Sequence, residues 1–214
     1  MKYLSIDIET YSSVDISKAG LYKYVQSFDF AILLFAYSVD GGSVQIVDLA
    51  QGEEIPLDII SALGDINVTK YAYNAAFEQY CLSKYYTTPI YQWRCTMVQG
   101  LYCGYPAGLS AIGEALGLSE DKRKLATGKA LIRYFCVPCK PTKTNGGRTR
   151  NLPHHEPEKW ELFKEYCKQD VVTEMAVKKH LHHELPISEQ MLWIIDQYIN
   201  SGGVRVDVDL IQGA

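Results

Sequence analysis

The chain has 214 residues, 47% of them hydrophobic, with 21 Lys and Arg against 25 Asp and Glu and a formal net charge of −4. This length and apolar content suit one domain plus an appendage around an ordinary core, and the lack of any run of 18 or more apolar residues excludes a transmembrane helix. The N-terminus enters a strand at once, with no signal-peptide pattern, so a cytoplasmic location with all six cysteines reduced is expected.

Residues 3–9 alternate Leu4, Ile6 and Ile8 with Tyr3, Ser5, Asp7 and Glu9, the period of a strand. Residues 30–39 and 43–49 read as two more strands, joined by the hairpin signal Asp40-Gly41-Gly42. A short helix over 56–63 and a fourth strand over 67–73 lead into a helix over 74–83, with Asn74 suited to its N-cap. A fifth strand is predicted over 90–96. Helices follow over 96–103, 108–117 and 124–135, the second with Leu109, Ile112, Ala115 and Leu116 on one face. Residues 136–157, rich in Pro, Gly, Asn and Thr, form one long irregular segment, and a long helix spans 158–184. After Pro186 a further helix runs through Met191, Leu192, Ile194, Ile195 and Ile199, then Val204–Asp207 follows as a short strand. The order is strand-first α/β without an internal repeat.

Chemistry concentrates in three segments. Asp7 and Glu9 lie two apart on a strand, so they point from one face. Glu78, in Asn74-Ala75-Ala76-Phe77-Glu78, falls in a first helical turn, where the helix dipole favours an anion. Tyr166 and Asp170 are spaced i, i+4 on the long helix and share a face. An Asp-x-Glu arises by chance slightly less than once in a chain of this length, so that pair alone carries no information. The ordered conjunction of all three carries it. Four carboxylates brought together suit two divalent cations, and the tyrosine is placed to orient a water for attack on a phosphodiester.

These segments resemble the three exonuclease motifs of the proofreading domain of family A DNA polymerases, in the phage-encoded branch, within the wider four-carboxylate exonuclease superfamily. Tyr166 puts the resemblance in the tyrosine subclass; the histidine subclass has His five residues before the last Asp, where this chain has Glu165. Further similarity lies in Lys143–Asn151 and in Glu158-Lys159-Trp160, so that the likeness spans residues 3–176. Its main departure is Glu78, where many relatives carry Asp. The resemblance implies a ribonuclease H-like mixed five-stranded sheet flanked by helices. It implies an exonuclease domain over 1–186, with 187–214 resembling the start of a polymerase thumb. If the chain is a fragment, a polymerase domain in cis is implied too, and no polymerase activity is expected of these residues themselves.

By the same resemblance the activity is metal-dependent 3′→5′ removal of nucleotides from single-stranded DNA 3′ ends, with two Mg2+ or Mn2+ ions. Asp7 would bridge the ions, Glu9 and Asp170 would complete the first site, and Glu78 would serve the second, directly or through water. Tyr166 with Glu9 would orient the attacking water, since an ordinary tyrosine is a poor proton acceptor at neutral pH. Thr10, Asn74 and Phe77 are candidate contacts to the terminal nucleotide. An exoribonuclease of the same superfamily and a catalytically silent structural domain are the alternatives.

The net charge suits a nucleic-acid enzyme only once it is divided along the chain. Residues 121–150 hold nine basic residues against one acidic, leaving the remainder at −12. Lys143, Arg148 and Arg150 are the candidate phosphate contacts there, because the Gly146-Gly147 turn lets the segment fold back toward the carboxylates. Cys136, Cys139, His154 and His155 loosely resemble a zinc site, but adjacent histidines fit poorly on one ion.

Overall fold

A computed structural model of the chain describes residues 1–119 and 128–213. It divides into two compact units, Met1–Glu184 and Leu185–Ala214.

The first unit is built on a five-stranded sheet: β1 (Tyr3–Tyr11), β2 (Ala31–Val39), β3 (Gln45–Asp48), β4 (Thr69–Ala72) and β5 (Trp93–Cys95). Its order is β3-β2-β1-β4-β5, with β1 antiparallel to β2 and β2 to β3, and with β1 parallel to β4 and β4 to β5. The sheet is therefore mixed, with β1 at its centre. Leu4, Ile6 and Ile8 are buried on one face of β1, which leaves Ser5, Asp7 and Glu9 to the other. The β1–β2 register slips between Glu9 and Thr10, where Glu9 pairs with Leu34 but Thr10 with Ile32. Leu33 is the extra residue of a bulge, a device that re-aims side chains at a strand end. In the β2–β3 hairpin Asp40 and Gly41 have φ of 49° and 77°, the left-handed pair of a tight turn. The Asp40 carboxylate accepts from the N–H groups of Lys2 and Tyr3 at 2.7 and 2.9 Å.

Helices α1 (Ile16–Gln26), α2 (Leu57–Gly64), α3 (Ala75–Ser83), α4 (Thr96–Tyr102), α5 (Leu109–Ala115), α6 (Gly128–Phe135) and α7 (Pro157–His180) surround the sheet. The sequence patterns anticipate all but α1, which has little apolar periodicity and is kinked at Gly20 (φ 78°). Residues 124–127 of the helix expected over 124–135 lie outside the described residues. The last long helix stops at His180 rather than 184, because Leu181 turns extended while its N–H still bonds Val177.

One core cluster joins β1 and β2 to α6 and α7 through Tyr11, Leu33, Ala36, Leu131, Phe135, Trp160, Phe163, Tyr166, Cys167 and Val171. Within it Phe135 meets Trp160 edge-on at 4.8 Å and stacks on Phe163 at 5.4 Å, and Phe163 lies parallel to Tyr166 at 6.2 Å. The Trp160 indole N–H donates to Asp48 at 2.6 Å, fixing the start of α7 to the end of β3. Such a buried aromatic column holds α7 at a defined depth over β1.

The second unit comprises α8 (Ile187–Gly202) and α9 (Val208–Gly213). The short strand expected at 204–207 is not formed. These residues are exposed and without regular structure, and no neighbouring strand among the described residues supplies the ladder that a strand requires. No helix among the described residues is long and apolar enough to cross a membrane.

Candidate active site

A cavity of about 520 Å³ opens where β1, α3 and α7 meet. Asp7 and Glu9 reach it from β1, Glu78 from the first turn of α3, and Tyr166 and Asp170 from adjacent turns of α7. Residues separated by more than 160 positions thus share one wall. Thr10, Asn74 and Phe77 line it too, whereas Lys143, Arg148 and Arg150 do not. Asn74 occupies the N-cap position of α3, but its side chain makes no capping bond, and the turn closes instead through the backbone bond from Phe77 N–H to Asn74 O at 2.8 Å.

The carboxylates are largely buried, with Glu9 8%, Glu78 5% and Asp170 5% exposed. Burial, then the nearby Asp7, pushes the Glu78 carboxyl well above the usual range, and its Oε2 is buried without a hydrogen-bond partner. A carboxylate in that state is stabilised by a cation or by a proton. Among the described residues no three His, Cys, Asp or Glu side chains are gathered tightly enough to chelate one ion. The four acids line a common space without closing on one point, as mutual repulsion favours. The donor set is oxygen-only, which fits a hard divalent cation.

Tyr166 is 1% exposed and donates its hydroxyl to Asp170. Burial first, then the charges of Asp170, Glu9 and Asp7, raises its pKa far above the ordinary phenol value. It therefore stays protonated and can orient a water but not deprotonate one. Two thiols complete the inner wall: Cys167 Sγ donates to Asp7 Oδ2 at 3.5 Å and Cys136 Sγ to Glu9 Oε2 at 3.7 Å. Burial and the adjacent carboxylates push both thiols up, so they remain donors.

Several residues here went unnoticed in the sequence. Tyr24 of α1 lines the cavity and hydrogen-bonds Thr10 through their hydroxyls at 2.8 Å. Glu174 continues the α7 face by one more turn, 2% exposed, taking the Thr96 hydroxyl at 2.5 Å. Burial raises its pKa, against Lys178 and the hydroxyls of Thr96 and Ser5. The signal was present, since Tyr166, Asp170 and Glu174 repeat at i, i+4 and i+8 and Ser5 precedes Asp7 by two.

The basic loop is organised around Asn145, whose Oδ1 accepts from the N–H groups of Thr142 and Gly147 and whose Nδ2 donates to Lys140 O. Arg148 is used inside this loop, donating to Asn151 at 2.8 Å and to Asn145 O at 3.2 Å. Arg150 stacks over the Tyr11 ring at 3.8 Å, at the end of the strand that carries Asp7 and Glu9. Lys143 is exposed. Lys122, Arg123 and Lys124 of the basic segment lie outside the described residues. Three of the four zinc-like residues are engaged elsewhere: Cys136 bonds Glu9, Cys139 bonds Arg148 O, and His155 Nδ1 accepts from Leu152 N–H, while the His154 and His155 rings lie 4.2 Å apart.

Sheet order and flanking helices define a ribonuclease H-like mixed α/β fold. Trypanosoma brucei RNase D, solved in complex with RNA U12, superposes with a TM-score of 0.57 at 16% identity, covering 97% of this chain and 66% of that one. Escherichia coli RNase D, an exoribonuclease involved in structured RNA processing, does so with a TM-score of 0.54 at 14% identity, covering 95% and 46%. No family model matches the sequence. The chain is a homologue of a phage DNA polymerase: it is 54% identical over 217 residues to the DNA polymerase of Bacillus phage SP02. That match covers all of this chain and 33% of the relative, in its N-terminal part, so the chain spans about a third of that polymerase's length.

Proposed function

We propose that this chain is a polymerase-associated 3′→5′ exonuclease domain that removes nucleotides from single-stranded DNA 3′ ends. The observation that supports the reading is the meeting of Asp7, Glu9, Glu78, Asp170 and Tyr166 in one cavity, from three separate elements. The homology to a DNA polymerase favours DNA as substrate. Residues 1–186 form the exonuclease, and 187–214 lead toward the polymerase portion of a longer cytoplasmic protein.

Asp7, Glu9, Glu78 and Asp170 would hold two divalent cations, Mg2+ or Mn2+. Such ions supply an acidified water and neutralise charge at the leaving oxygen. The chain's own residues do the positioning. The Tyr166 hydroxyl, held by Asp170, and the Glu9 carboxylate, held by the Cys136 thiol, direct a water at the scissile phosphorus. Thr10, Tyr24 and Phe77 shape the space for the terminal nucleoside, and Arg150 stands on Tyr11 at the outer end of the strand.

The test is a ladder assay on 5′-labelled single-stranded DNA. Stepwise shortening with Mg2+, abolished by a chelator, is the expected result; an intact oligonucleotide under both conditions would refute the reading. The RNase D likeness makes an exoribonuclease the second reading. Matched DNA and RNA oligonucleotides separate the two by rate.

A further inference from the structure

Tyr166 has a neighbour that constrains it more tightly than any hydrogen bond. Gly128, at the start of the described part of α6, is buried, and a Cβ built on it would fall 1.9 Å from Tyr166 Cε2, 2.4 Å from Cζ and 2.6 Å from Cδ2. One edge of the ring, Cδ2–Cε2–Cζ, therefore occupies the place where a side chain at 128 would begin. Gly128 lies within helix α6, a conformation that does not by itself ask for glycine. In a helix, glycine is less favourable than alanine. The ring is what the missing side chain accommodates. The Tyr166 ring has little room to swing aside, being 1% exposed, parallel to Phe163 and joined to Asp170.

We infer that Gly128 is a positioning residue for Tyr166, its bare backbone setting where the phenol oxygen stands above the carboxylates. The inference rests on the exonuclease reading and extends it to α6. Carbon atoms in ordinary contact are about 3.5–4.0 Å apart, so a methyl at 128 displaces the ring by more than 1 Å. Misplacement of about that size in a reacting constellation costs on the order of 100-fold in rate.

The experiment compares wild type, Gly128→Ala, Tyr166→Phe and the double variant in Mg2+-dependent shortening of single-stranded DNA, with kcat and KM separated. Gly128→Ala is expected to lower kcat as far as Tyr166→Phe does with KM nearly unchanged, and to add nothing in the Tyr166→Phe background. Wild-type kcat in Gly128→Ala, or losses that multiply in the double variant, would overturn the inference. A second measurement needs no activity: thermal melting of Gly128→Ala against Tyr166→Ala and Gly128→Ala/Tyr166→Ala. Removing the ring should make the extra methyl harmless, so the double variant melts with Tyr166→Ala; a further drop overturns the contact. A wild type without metal-dependent shortening defeats the exonuclease reading alone, since the melting comparison still decides the packing.

Discussion

The carboxylate wall and the basic loop are built on opposite principles. Asp7, Glu9, Glu78 and Asp170 stand on a central strand and two helices, each packed into the core, and their like charges are held together at a cost in repulsion and desolvation. The loop over 139–151 has no regular element, and it is shaped by bonds from Asn145 and Arg148 to its own backbone. Groups that must be fixed to a fraction of an ångström sit on rigid elements, while a charged surface for a mobile strand tolerates a loop. The same division separates the two arginines. Arg148 is spent on holding the loop, whereas Arg150 is carried on the ring of Tyr11 toward the catalytic strand.

The largest effect should come from breaking the wall. Asp170→Ala removes both a charge and the acceptor of the Tyr166 hydroxyl, and should lower kcat by roughly 10³-fold while DNA affinity holds, as measured by single-turnover excision and fluorescence anisotropy. Near-wild-type turnover would mean that the buried carboxylates are only structural. Tyr166→Phe should cost less, roughly 10²-fold. Because burial keeps the phenol pKa above its ordinary value, that loss should be constant from pH 6 to 9.

Charge changes in the loop sharpen the comparison. Joint reversal of Arg148 and Arg150 to Glu should weaken single-strand binding and reduce the salt slope by about 1.4 log units if both touch phosphate, at roughly 0.7 per contact. The geometry predicts an unequal split. Arg150→Ala should carry most of the binding loss, and Arg148→Ala should instead lower the melting temperature. Equal salt slopes in the two single variants would contradict it.

The smallest expected effect concerns Glu174 in the interior. Burial raises its folded pKa above the unfolded value near 4.3, so the folded state binds the extra proton. Its destabilising effect is absent below the unfolded pKa and grows as pH rises toward the folded one. Glu174→Gln should therefore flatten the decline in melting temperature as pH rises above the unfolded pKa, with little change below it. An unchanged slope would show that the acid keeps an ordinary pKa.

Much of this was readable in the sequence, for reasons that differ by residue. The Asp7–Glu9 pair follows from period 2, and Tyr166–Asp170 from the helical repeat, because both are local properties of the chain. The sheet order was reached through resemblance rather than pattern, since pairing between β1 and β4 leaves no local trace. Helix α1 escaped because Gly20 interrupts a segment with no apolar stripe. Gly128 escaped for a deeper reason: its role is to have no side chain where Tyr166 needs room, and a void has no periodicity. Arg148 and Arg150 looked alike as candidate phosphate contacts, because charge counts do not reveal that the loop bonds Arg148 to its own Asn145 and Asn151.

Tyr166, Asp170, Glu174 and Lys178 occupy four successive turns of α7, and that helix is tied down at Trp160, about 9 Å along the axis from Tyr166. On this side the site behaves as a single machined part. Any perturbation that lets α7 slide or roll, such as Trp160→Phe with its lost bond to Asp48, carries hydroxyl, ligand and buried acid away together. Disturbance of α3 shifts Glu78 alone among the four carboxylates. Random variants should consequently fall into two populations, one whose defects move in step and one that loosens a single corner of the site.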